Sequence, residues 1–212
     1  METTYLLPVP GRDFTREWGV KRSRFIATAR RVMDEDQARA YIDEVRATYP
    51  DARHHCSAFI VRIDDALPVE RSSDDGEPSG TAGRPMLEQL KGSGLSNIAV
   101  VVTRYFGGIK LGAGGLVHAY SESVGQLLPE IPRARRSLRE LYRVDFAHAE
   151  AGRLESELRD RGVEITDVAY GEMASYTLAV EPGGFGDLCD ILASLTQGQV
   201  KPREIGTTWI ES

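Results

Sequence analysis

Hydrophobic and polar positions alternate in two distinct rhythms along the chain, and together they predict a mixed architecture. Residues 24–33, RFIATARRVM, read as a strand. Ala38, Ile42, Val45 and Tyr49 recur at spacings of three to four, which predicts a helix over 35–49 with Asp34 as its N-cap and Pro50 as its stop. Residues 55–63 alternate as a second strand. The stretch 68–85, PVERSSDDGEPSGTAGRP, is so rich in turn residues that no regular element is expected in it. A short helix follows over 86–91, ended by Gly92 and Gly94. Residues 97–106, NIAVVVTRYF, hold an unbroken apolar run, the mark of a strand buried on both faces. After the glycine-rich segment 107–115, Leu116, Tyr120, Val124 and Leu127 form one face of a helix over 116–128.

Periodicity breaks near residues 129–138, PEIPRARRSL, where two prolines and a basic run intervene. A domain boundary is expected there, giving an N-terminal domain over 1–134 and a C-terminal one over 138–212. The second reads as strand 139–147, helix 149–161, strands 163–170 and 173–181, helix 184–195 and strand 200–210, the βαββαβ order of a ferredoxin-like fold. The expected fold class is therefore α+β, with a ferredoxin-like second domain.

Charge divides the chain the same way. The whole carries a net charge of -6. Residues 1–137 hold 19 basic and 18 acidic residues, and residues 138–212 hold 7 and 14, so +1 and -7. A polyanion contact is expected in the first part, because the second repels phosphate. No apolar run approaches the roughly 20 residues that span a bilayer, and the start, METTYLLPVPGRDF, lacks the pattern of a secretory leader. Cys56 and Cys189 are too few for a disulfide framework. A cytoplasmic location without membrane association is expected.

The most specific local signal is the order strand, glycine-rich turn, helix. Thr103-Arg104-Tyr105-Phe106-Gly107-Gly108-Ile109-Lys110-Leu111-Gly112-Ala113-Gly114-Gly115 leads into a helix N-terminus, where free amides and the positive end of the helix dipole attract anions. Arg104 and Lys110 flank the turn, and Tyr105 and Phe106 offer rings for base stacking. The segment matches neither nucleotide-binding motif: Gly112 is followed by Ala113-Gly114 instead of Lys-Ser/Thr, and Val117 stands where a dinucleotide fold needs glycine. Architecture is the competing reading, with glycines allowing close packing and aromatics filling the core.

Asp74, Asp75 and Glu77 are candidate polar partners of the turn. They could also meet a hard cation, but they lack an EF-hand's pattern, and turn geometry or pairing with Arg84 or Arg104 is favoured. His54, His55 and Cys56 open a strand without a companion motif, so neither a metal nor a nucleophile is assigned to them. His118 sits near the helix start. Two basic clusters, Lys21, Arg22, Arg24, Arg30 and Arg31, and Arg133, Arg135 and Arg136, become a phosphate-contacting face only if the fold gathers them. No catalytic residue, metal or cofactor is assigned.

The segments Arg104-Tyr105-Phe106-Gly107-Gly108-Ile109-Lys110-Leu111-Gly112 and Asp74-Asp75-Gly76-Glu77-Pro78-Ser79-Gly80-Thr81-Ala82-Gly83-Arg84-Pro85 closely resemble the signature of the IMPACT/YigZ family. Lys21-Arg22-Ser23-Arg24-Phe25-Ile26 and His54-His55-Cys56 sit where that family has comparable segments. The resemblance implies a first domain that is an α/β sandwich like elongation factor G domain IV and a second like its domain V, with a role around translation. The clustered sequence features and the resemblance together point to RNA, the ribosome or a translation factor as partner, met by Arg84, Arg104, Tyr105, Phe106, Gly107, Gly108, Lys110, Gly112, Gly114 and Gly115. Two other readings stand beside it: an enzyme acting on a small phosphorylated or anionic ligand at the same turn, and a purely architectural turn with function in protein–protein contact.

Overall fold

The computed structural model describes residues 3–63 and 66–212; the first two positions of the segment read as no leader lie outside it. The chain forms two compact units, the first over Tyr5–Arg135 and the second over Arg136–Ser212, to which residues 3 and 4 also belong.

The first unit is built on an antiparallel sheet in the order β2-β3-β6-β4-β5, from β2 (Phe14–Val20), β3 (Ser23–Arg31), β4 (His54–Val61), β5 (Val69–Ser73) and β6 (Ile98–Tyr105). The central β6 explains the layering. Ile98, Val100 and Val102 face one side, and Ala99 and Val101 the other, all fully buried. Helix α1 (Glu35–Thr48) covers the Ala99/Val101 side with Ala38, Tyr41 and Val45. Helices α2 (Gly83–Ser93) and α3 (Gly112–Leu127) cover the opposite side with Met86, Leu90, Leu116, Tyr120, Val124 and Leu127. The helix α1 starts where the sequence predicts, since the Asp34 carboxylate accepts from the Gln37 N–H at 2.7 Å.

Four elements depart from expectation. Strand β5 lies inside the stretch expected to be irregular; Val69-Glu70-Arg71-Ser72-Ser73 has no apolar rhythm because it is an edge strand fixed by pairing with β4 alone. Helices α2 and α3 both begin earlier than their apolar faces, at Gly83 and Gly112, because their first turns carry glycines that give no periodic signal. Strand β7 (Arg133–Phe146) starts within the broken-periodicity region, where its basic residues take strand geometry from cross-strand partners, as Arg136 does opposite Glu211.

The second unit follows the βαββαβ order: β7, α4 (His148–Asp160), β8 (Glu164–Tyr170), β9 (Ala174–Val180), α5 (Phe185–Thr196) and β10 (Arg203–Glu211). The sheet runs β7-β9-β8 with β10 on the other side of β7; the N-terminal strand β1 (Thr4–Pro8) also pairs with β7. Tyr142, Val144, Phe146, Tyr176 and Leu178 meet Leu154, Leu158, Leu188 and Leu192 of the two helices in a separate core. Among the described residues no helix is long and apolar enough to cross a membrane.

Candidate functional site

The acidic loop after β5 is held from within. Asp74 accepts hydrogen bonds from the amides of Gly80 (2.7 Å), Ala82 (2.9 Å) and Gly83 (2.8 Å), and so caps the start of α2. Gly83 must be glycine, because a Cβ there would stand 2.7 Å from the Ser73 backbone. Burial alone would raise the Asp74 carboxyl, but the amides of Gly80, Gly83 and Ala82 together hold it below the usual carboxylate range. Its stabilising contribution is therefore fully present above the unfolded value of about 3.9 and is lost as pH falls through the lower folded value. Urea midpoints measured from pH 7 downward should drop less steeply below about pH 4 for Asp74→Asn than for the parent chain.

Asp75 has an unusual positive φ of 41°. It accepts from the His55 amide at 2.6 Å and pairs with Arg46 at 2.8 Å, while its carbonyl lies 2.8 Å from His54 Nδ1. His55 Nε2 lies 3.0 Å from the Tyr49 carbonyl. Cys56 is buried and its thiol donates to the Asp74 carbonyl at 3.0 Å; burial pushes that thiol up to about 12, so it stays protonated at neutral pH. His54, His55 and Cys56 thus fasten the acidic loop to β4.

Glu77 pairs with Arg104, as favoured for the acidic loop, but Arg104 itself departs from one expectation. Arg104, read as an outward cation of the turn, is only 6% exposed, and Glu77 is buried with it. Arg104 Nη1 donates to Glu77 Oε1 at 2.7 Å, and the Tyr120 hydroxyl donates to the same oxygen at 2.7 Å. The guanidinium lies between two rings, 5.6 Å from the centroids of both Phe25 and Phe106. The cause is register: Arg104 stands between Phe25 of β3 and His54 of β4, in the interior of the sheet. Glu77 and Arg104 pair with each other in the interior, with side chains only 4% and 7% exposed. Tyr105 is half-buried, and its ring carries the Arg24 guanidinium at 4.8 Å.

Most of the expected turn residues remain at the surface. Phe106 is 52% exposed and Ile109 42%, with Gly108, Lys110, Gly112 and Gly114 also at the surface. Leu111 gives the α3 N-terminus no side-chain cap. Gly107 donates its amide to Ser23 Oγ at 3.2 Å and packs on the β2–β3 hairpin tip so closely that a Cβ would fall 2.0 Å from the Arg22 carbonyl. Lys21 and Arg22 form that tip, both exposed and both left-handed, with φ of 46° and 66°. The Gly-rich turn and the basic tip are therefore one surface. The sequence puts Lys21 and Arg22 in a basic cluster and a family-like segment but not beside the Gly-rich turn, because a two-residue turn without glycine or asparagine carries no hairpin signal.

The other cations are dispersed. Arg24 pairs with Glu17, and Arg30 with Asp13 and Glu44. Arg133 donates to the Ser93 carbonyl, and Arg136 lies over the Trp209 ring. Arg84 is exposed on the first turn of α2, and His118 on α3. Among the described residues, Lys21, Arg22, Arg84 and Lys110 have no acidic partner.

The Impact N-terminal domain family matches residues 21–128, and a domain of unknown function, DUF1949, matches residues 144–199. The IMPACT family member YvyE of Bacillus subtilis (strain 168) is 37% identical over 192 residues, covering 91% of this chain and 88% of that protein. The IMPACT family member YigZ of Escherichia coli (strain K12) is 35% identical over 193 residues, covering 91% and 95%. A crystal structure described as that of an hypothetical protein superposes with a TM-score of 0.63 at 34% identity, covering 97% of this chain and 98% of the other. With its first unit matched by the Impact N-terminal domain and its full length paralleled by such relatives, the chain belongs to the IMPACT family.

Proposed function

We propose that the first unit is a translation-associated binding module that contacts RNA through the combined surface of the Gly-rich turn and the β2–β3 tip. The observation that carries this reading is the seating of Gly107, the residue after Phe106, on the Arg22 backbone, which joins the basic hairpin tip to the Gly-rich turn. Left-handed geometry costs a non-glycine residue on the order of 1–3 kcal/mol, and such strain concentrates where a surface is used. Lys21, Arg22 and Lys110 supply phosphate contacts, the uncapped amides of α3 donate to a further phosphate, and the open face of Phe106 stacks on a base. Family membership supports the translation setting, and the +1 charge of residues 1–137 against -7 for the rest favours this unit as the phosphate-facing one.

Fluorescence anisotropy of a single-stranded RNA across a KCl series tests the proposal. Replacing Lys21, Arg22 and Lys110 together by alanine should reduce the slope of log K against log salt by about 2, since each single-strand phosphate contact contributes about 0.7. Phe106→Ala should weaken binding by about 1–3 kcal/mol and leave the slope unchanged. Binding that ignores salt, or a triple variant that binds like the parent chain, would overturn the reading.

A further inference from the structure

The acidic second unit carries a cavity of different chemistry. About 360 Å³ in volume, it is lined by Glu140, Tyr142, Gly183, Phe185, Pro202 and Glu204. We propose that it receives the lysine or arginine side chain of a basic protein segment.

Aromatic surface forms one wall. Phe185, the first residue of α5, is 45% exposed, and its ring stacks on Tyr142 with centroids 5.1 Å apart and planes 29° apart. The ring faces carry partial negative charge and attract a cation. Carboxylates form the other wall. Glu140 is held by two neutral donors, the Tyr142 hydroxyl at 2.9 Å and the Gly183 amide at 3.1 Å, so its charge is oriented but not neutralised. Glu204 stands directly opposite Tyr142 in the β7–β10 register. Neither glutamate has a cationic partner among the described residues. Just beyond Glu204 the register shifts before Gly206, leaving Ile205 as an extra, 47% exposed residue. Bulges of this kind re-aim neighbouring side chains, commonly beside binding sites. Alternation turns Arg203 to the other face, where it stands opposite Arg143.

The wall chemistry selects the occupant. Two carboxylates exclude an anion, and a neutral apolar group would leave both uncompensated. A hard metal ion seeks about six or more oxygens, and this cavity offers two carboxylates beside rings. A lysine or arginine side chain fits both walls, its aliphatic stem along Phe185 and Pro202 and its charge toward Glu140 and Glu204. The -7 charge of residues 138–212 draws such a segment from a distance.

The test uses the full chain and a fluorescein-labelled pentalysine peptide, read by anisotropy at low salt. Phe185→Leu keeps the apolar bulk and removes the π face; Glu204→Gln keeps the shape and removes the charge. Each should weaken binding about three- to tenfold, with thermal midpoints unchanged because both side chains are exposed. Glu172→Gln, an equal charge change on an exposed turn outside the cavity, should alter binding less than about twofold. The fully Nε-acetylated peptide should not bind. Equal binding of the acetylated peptide, or no response to either cavity variant, would overturn the proposal. Displacement by spermidine at the peptide's own concentration would overturn the assignment to a protein segment. The readout is independent of RNA binding, so it can fail while the proposed function stands.

Discussion

Replacing Glu77 by alanine should destabilise the first unit by about 3–5 kcal/mol, measured as a shift of the urea unfolding curve. The Arg104 and Glu77 side chains are 7% and 4% exposed, so removing the carboxylate strands a guanidinium away from water. Arg104 already has one buried Nε without a hydrogen-bond partner, and Tyr120 would lose its acceptor as well. The loss should reach the surface too, because Phe106 rests on the Arg104 guanidinium. A control separates burial of the charge from loss of volume. Glu77→Leu combined with Arg104→Met removes both charges, and it should recover most of the stability that Glu77→Ala loses. A cost below about 1 kcal/mol for Glu77→Ala would mean that the pair is not buried in solution.

Gly107→Ala should cost about 1–3 kcal/mol and also weaken RNA binding, although it removes no charge. The new Cβ would lie 2.0 Å from both C and O of Arg22 and 2.5 Å from the Ser23 nitrogen, all backbone atoms that cannot swing aside. Either the hairpin tip or the Gly-rich turn must move, and the cations of the tip lose their placement against the turn. Gly114→Ala is the contrast. Gly114 lies within α3 with nothing within 4 Å of its Cβ position, so alanine should stabilise that helix by about 0.5–1 kcal/mol. If both substitutions behaved alike in urea unfolding and in RNA anisotropy, the close contact would have no role.

Local pattern and tertiary register contributed differently to this protein. The apolar run of β6, the periodic face of α1 capped by Asp34, and the βαββαβ order of the second unit were legible along the chain, because burial on a face imposes a period on the sequence. The paired motifs around Asp74 and Arg104 were legible as a signature. Their roles were not, because charge along a sequence does not say which way a side chain points. Strand pairing places Arg104 between Phe25 and His54, and that register turned an expected surface cation into an interior one. The same pairing brought Lys21 and Arg22, more than eighty positions away, against Gly107. Proximity between distant segments follows from how strands align across a sheet, a long-range outcome that hydrophobic period alone leaves undetermined.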